Sequence, residues 1–140
     1  MKASLLFFAI LFLSLDSFAQ TKVKDTILAN KIYEIRITET SSAHPNPWDD
    51  GISFKSGYLN STTLLKNHQF SSLPYTASIS SSDTSTVTFT SEGKNRIGDI
   101  IKWNGTITDS ERDIQGTVVI THKNGKITTY SFTGKQKVKK

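Results

Sequence analysis

The chain of 140 residues contains no cysteine, one methionine and three prolines. Without cysteine it has no disulfide framework, no thiol nucleophile and no site for lipid attachment through sulfur. The familiar catalytic and nucleotide-binding signatures are missing too, since no Gly-x-Ser-x-Gly, Walker loop or dinucleotide fingerprint occurs. No helical periodicity persists over the length of a crossover helix, which excludes βαβ topology.

What is present begins with an address. Met1 and Lys2 form a short positive n-region, residues 5–13 are an almost unbroken apolar run, and Ser17-Phe18-Ala19 sets small residues at both positions a signal peptidase reads. The apolar run falls short of the about 20 residues of a membrane span. Residues 1–19 are therefore expected to be a signal peptide cleaved before Gln20, with an uncleaved anchor as the alternative. An exported protein follows, secreted or periplasmic, with 20–140 as one domain and no transmembrane span. The balance is basic, 17 Lys and Arg against 12 Asp and Glu. Much of the excess lies in Lys135, Lys137, Lys139 and Lys140, a tail that either meets an anionic envelope surface or stays solvated and guards the last strand from edge pairing. A nucleic-acid partner is not expected.

The mature part alternates. Ile101, Trp103, Gly105 and Ile107 share one parity, and Ile114, Gly116, Val118 and Ile120 repeat the pattern, with Val119 out of step. Asn124-Gly125 predicts a type I′ hairpin into a strand whose Thr128, Tyr130, Phe132 and Gly134 share a face. Gly105, Gly116 and Gly134 fall on the apolar parity, where glycine relieves crowding under a ring or at a bend, or admits a ligand. Upstream, Tyr33, Ile35 and Ile37 mark a first strand whose Glu34 and Arg36 face solvent. Residues 41–50, with Pro45 and Pro47, read as a long ordered loop. Ile52 and Phe54, then 58–61, then Tyr75, Ala77 and Ile79, then Val87 and Phe89 mark further strands, and 91–96 reads as a polar loop. The spacing of Leu64, Leu65 and Phe70 predicts one short helix near 62–68. The fold class is thus all-β: an antiparallel meander of about eight strands closed into a small barrel, with a β-sandwich as the alternative.

Trp48-Asp49-Asp50-Gly51-Ile52-Ser53-Phe54, Gly57-Tyr58-Leu59-Asn60-Ser61, Lys102-Trp103-Asn104-Gly105-Thr106, Ile114-Gln115-Gly116-Thr117 and Tyr130-Ser131-Phe132-Thr133-Gly134 extend over most of the mature chain. In this succession the chain resembles small exported bacterial proteins with lipocalin-like, calycin-type barrels. The resemblance implies the barrel architecture.

For function, the aromatic set Tyr33, Phe54, Tyr58, Phe70, Tyr75, Phe89, Trp103, Tyr130 and Phe132 is the candidate lining of a barrel interior and its lid. A small barrel either fills its interior with its own side chains or holds one small ligand there. The first expectation is a non-enzymatic binding protein for a small apolar or amphipathic molecule, gated by 41–50 and 62–72. The second is a filled barrel that acts through its outer surface as an envelope interaction module, by the lysine tail or by Thr-lined outer strands. An enzyme ranks third. Its sign would be two or more of Asp49, Asp50, Asp99, Glu111, His44, His68 and His122 converging. The histidines lack ligand spacing within any element, so no metal or cofactor is indicated.

Overall fold

Strict alternation over eight segments, with turn formers between them, dictates hairpins, and the hairpins close. In a computed structural model that describes residues 27–80, 82, 85–108 and 112–138, the strands are β1 (Ile32–Glu39), β2 (Trp48–Lys55), β3 (Tyr58–Ser61), β4 (Leu73–Ile79), β5 (Val87–Lys94), β6 (Ile100–Thr108), β7 (Asp113–Thr121) and β8 (Ile127–Gln136). One short helix, α1 (Leu64–Asn67), lies between β3 and β4. Each strand pairs antiparallel with the next and β8 returns to β1, giving a closed barrel rather than a sandwich. Residues 1–19, expected to be a signal peptide, and Glu111, Lys139 and Lys140 lie outside the described residues.

The inward parity is mainly apolar and forms one core, with Asp50, Ser61, Ser91 and Thr128 as its buried polar members. Tyr33, Phe54 and Trp103 have no exposed surface. Phe54 sits at the centre of an edge-to-face set, its ring centroid 6.0 Å from Tyr33, 4.8 Å from Tyr75 and 5.2 Å from Phe89, a geometry that suits the ring quadrupoles. Trp103 meets Phe132 at 5.5 Å. The inward glycines make room for this filling. A Cβ on Gly105 would strike the Phe89 ring, and one on Gly116 would come within 2.7 Å of the Phe132 ring and of Gly105 Cα. Their role is relief of crowding.

Several expectations need correction. Tyr58 is 45% exposed, on the outer wall. In a strand of four residues the parity is set by Leu59 and Ser61, both buried, and Tyr58 stands opposite Lys55 beside the 55–57 turn. The β7–β8 turn is not type I′, because only Gly125 takes a positive φ, of 89°. It is a three-residue connection in which the Gly125 N–H donates to His122 O and the His122 N–H to Lys126 O, a turn that ends in one left-handed residue. The 41–50 loop is shorter than expected, since β2 begins at Trp48, directly after Pro47. A proline costs the ladder nothing one residue before the strand starts. Likewise β5 runs on to Lys94 through the expected loop. Finally, β8 is paired on both sides, so it has no edge for the lysines to guard. Lys135 pairs with Asp113 and Lys137 with Glu34, each at 3.5 Å.

Candidate functional site

An up-and-down barrel sends alternate connections to opposite ends. One end carries 40–47, the α1 segment 62–72, the β5–β6 turn and the β7–β8 turn, and these are tied together by polar side chains. Asp50, turned inward near the start of β2 and buried, accepts the Gly51 and Thr63 N–H groups at 2.8 and 2.9 Å on Oδ1, and the Leu64 N–H at 2.9 Å on Oδ2. That carboxylate fixes the entry to α1. Asn95 holds the β5–β6 turn: its Oδ1 accepts the N–H groups of Ile97, Gly98 and Asp99, and its Nδ2 donates to His68 O at 2.9 Å.

Three of the candidate acids and histidines meet at this rim. His122 Nδ1 lies 3.3 Å from Asp99 Oδ2, and its Nε2 lies 2.9 Å from Thr128 Oγ1. His68, at the C-terminal end of α1, places Nε2 3.4 Å from the Tyr130 hydroxyl, with its ring 6.5 Å from that of His122. Trp48 packs edge-on against Tyr130 at 5.7 Å. Burial pushes the His68 imidazole below its ordinary value, the nearby His122 adds to this, and Asp99 and Glu39 oppose it. The Lys123 N–H, donated to Asp99, holds that carboxyl below the usual range. Burial raises the Tyr130 phenol, and that of Tyr33 deep in the core to about 12. Acid, imidazole and hydroxyl stand in the order of an activated nucleophile. The Thr128 hydroxyl, however, belongs to a residue only 7% exposed, so the line serves first as a fastener between turns.

The other candidates do not join this group. Asp49 is exposed and pairs with Arg36 at 2.9 Å, on the face opposite Asp50. His44 is exposed on the β1–β2 connection, its backbone N–H donated to Ser42 Oγ. Among the described residues no three His, Asp or Glu side chains form a metal-holding group. Of the nine aromatic candidates, Tyr33, Phe54, Phe70, Tyr75, Phe89, Trp103, Tyr130 and Phe132 are buried and Tyr58 is outside. Among the described residues, the buried donors without a partner are the indole N–H groups of Trp48 and Trp103.

The outer wall presents a different chemistry. Register places Ser78, Thr88, Thr106, Gln115 and Thr133 in one row across β4 to β8, and Thr76, Thr90, Asn104, Thr117 and Ser131 in the next. All ten are neutral and polar. The rows beyond them carry charge, Glu92 and Lys102 on one side and Asp113 and Lys135 on the other. Twisted strands give a barrel a narrowed waist, and here the waist forms a trough of about 540 Å³ over β5 to β8. It adjoins a second concavity of about 730 Å³ across β8, β1 and β2, the two sharing Thr133.

No protein-family model matches the chain, and comparison with curated proteins and with solved structures finds no significant match. What the fold defines is a class, the small up-and-down β-barrel closed by eight antiparallel strands, a form compatible with a lipocalin-like barrel.

Proposed function

We propose that this is an exported, non-enzymatic barrel that binds through its outer wall, as an interaction module of the cell envelope. One observation carries the choice over a ligand held inside. A side chain lining a void large enough for one water keeps some surface that a water-sized sphere can touch, and Tyr33, Ile37, Ile52, Phe54, Trp103 and Val118 keep none. A ligand inside would have to displace those rings. The outer wall, by contrast, carries a shallow, open concavity of about 540 Å³ that a ligand can reach without displacing a side chain. The exported address is the one expected from residues 1–19.

The test is retention on an insoluble envelope fraction. The wild type is expected to bind, the double variant Thr106→Glu, Gln115→Glu to be washed off, and Lys135→Ala, Lys137→Ala to bind as wild type. Equal retention of the trough variant sinks the proposal. So does saturable quenching of tryptophan emission by a fatty acid or an apolar dye, which would put the ligand inside.

A second reading, an enzyme, is favoured by the Asp99, His122 and Thr128 line. It requires ester hydrolysis by the purified protein that His122→Ala abolishes while the fold is retained.

A further inference from the structure

We propose that the trough over β5 to β8 binds a neutral polyhydroxylated chain, a glycan without charged substituents; this rests on the outer-wall reading and names its ligand. Asn104, Thr106, Gln115, Thr117, Ser131 and Thr133 stand together there, and none makes a side-chain hydrogen bond within the described residues. On the neighbouring strand pair the hydroxyls satisfy one another instead, Thr76 with Thr90 and Ser78 with Thr88, each at 3.0 Å. Two carboxamides and four hydroxyls thus face outward with donors and acceptors both available. A sugar hydroxyl has the same dual character, so a row of them matches the trough without requiring any net charge.

The same lining argues against other ligands. Phosphate and nucleic acid are held by Lys and Arg, and the two rows contain neither. An extended peptide that adds to a sheet needs a free strand edge, and each strand of this barrel is paired on both sides. A lipid chain needs exposed apolar side chains, and the apolar side chains at the floor of the trough, Phe89 and Phe132, are only 1% and 2% exposed. Past Thr90 and Asn104 at one end the groove meets Glu92 and Lys102, and past Thr133 at the other it meets Glu34, Arg36 and Lys135, so the neutral stretch crosses four strands between charged ends and suits a short chain rather than a single ring. Each hydrogen bond replaces one to water and contributes little, so affinity is weak, with a dissociation constant on the order of 1 mM.

The experiment is a ¹H–¹⁵N NMR titration of the labelled protein with cellotetraose and with chitotetraose, both neutral, beside a neutral Gly/Ser/Asn peptide. Saturable shifts are expected in the Asn104 and Gln115 side-chain amides and in the β5 to β8 backbone, with affinity reduced at least about tenfold in the double variant Asn104→Ala, Gln115→Ala, whose spectrum shows it folded. Binding of the peptide in place of the sugars, or sugar shifts that map to the histidine rim, overturns the proposal. If neither sugar binds but the double variant still loses the envelope fraction, the ligand class is wrong and the outer-wall reading stands. If the double variant is retained as well, both fall.

Discussion

Gly116→Ala tests how tightly the waist of the barrel is closed. The new Cβ would meet the Asn104 carbonyl oxygen, and would lie 2.7 Å from both Gly105 Cα and Phe132 Cζ. The first two are backbone atoms of the partner strand, held in register by the pairing of Gly105 with Gly116. Neither can turn aside as a side chain can, so relief requires β6 and β7 to separate or the Phe132 ring to leave its place. Overpacking of a filled core costs about 1–3 kcal/mol, and contact with two backbone atoms of the partner strand puts this substitution near 3 kcal/mol. In a domain of this size each kcal/mol lowers the melting temperature by roughly 3–5 °C, so the midpoint should fall by about 10–15 °C. Gly125→Ala is the control, because nothing lies within 4 Å of its Cβ and only its φ of +89° is strained; it should cost about 1–2 kcal/mol. The assay is thermal and urea unfolding followed by circular dichroism. If Gly116→Ala melts within about 2 °C of wild type, the waist has slack and the argument for a filled interior fails.

Three further outcomes follow from the same contacts. Asp50→Asn replaces one acceptor oxygen by an NH₂ facing backbone N–H groups, and should cost about 2–3 kcal/mol in urea unfolding and speed hydrogen exchange at Thr63 and Leu64. His68 is held below its ordinary pKa when folded, so the unfolded chain binds its proton first. Stability is then full above about pH 6.5 and declines as pH falls through the folded value; His68→Gln should flatten that part of the profile, and an unchanged slope would contradict it. Trp103→Phe loses apolar contact but also removes a buried N–H without a partner, so its net cost should stay within about 1 kcal/mol, whereas Trp103→Ala should cost about 3–5 kcal/mol.

Much of the architecture was legible because a strand buried on one face must alternate. Ile101 to Ile107 carries that alternation without ambiguity and Ile114 to Ile120 does so with Val119 as its one exception, and both lie as expected. Tyr58 did not, because Tyr58 and Leu59 are adjacent, both large and apolar, and a strand of four residues offers no further repeat to decide between them. The Asn-Gly pair marked the β7–β8 turn but not its type, which depends on loop length rather than on the dipeptide. The rim was hidden for a different reason. His122 and Asp99 are 23 positions apart and Tyr130 and His68 are 62 apart, and only the closure of the barrel brings their turns together. The capping by Asp50 and the turn-holding by Asn95 also left no periodic mark. The neutral outer rows were readable in outline, as runs of Thr on the outward parity. Their alignment into a bounded lattice needed the register.

The central claim is that the interior is occupied by the protein's own side chains. It is tested most directly by methyl NMR of isoleucine- and valine-labelled protein under increasing xenon pressure, since xenon enters dry apolar voids. No saturable shift is expected at Ile37, Ile52 or Val118. A saturable shift at those three methyl groups would reveal an internal chamber and contradict it.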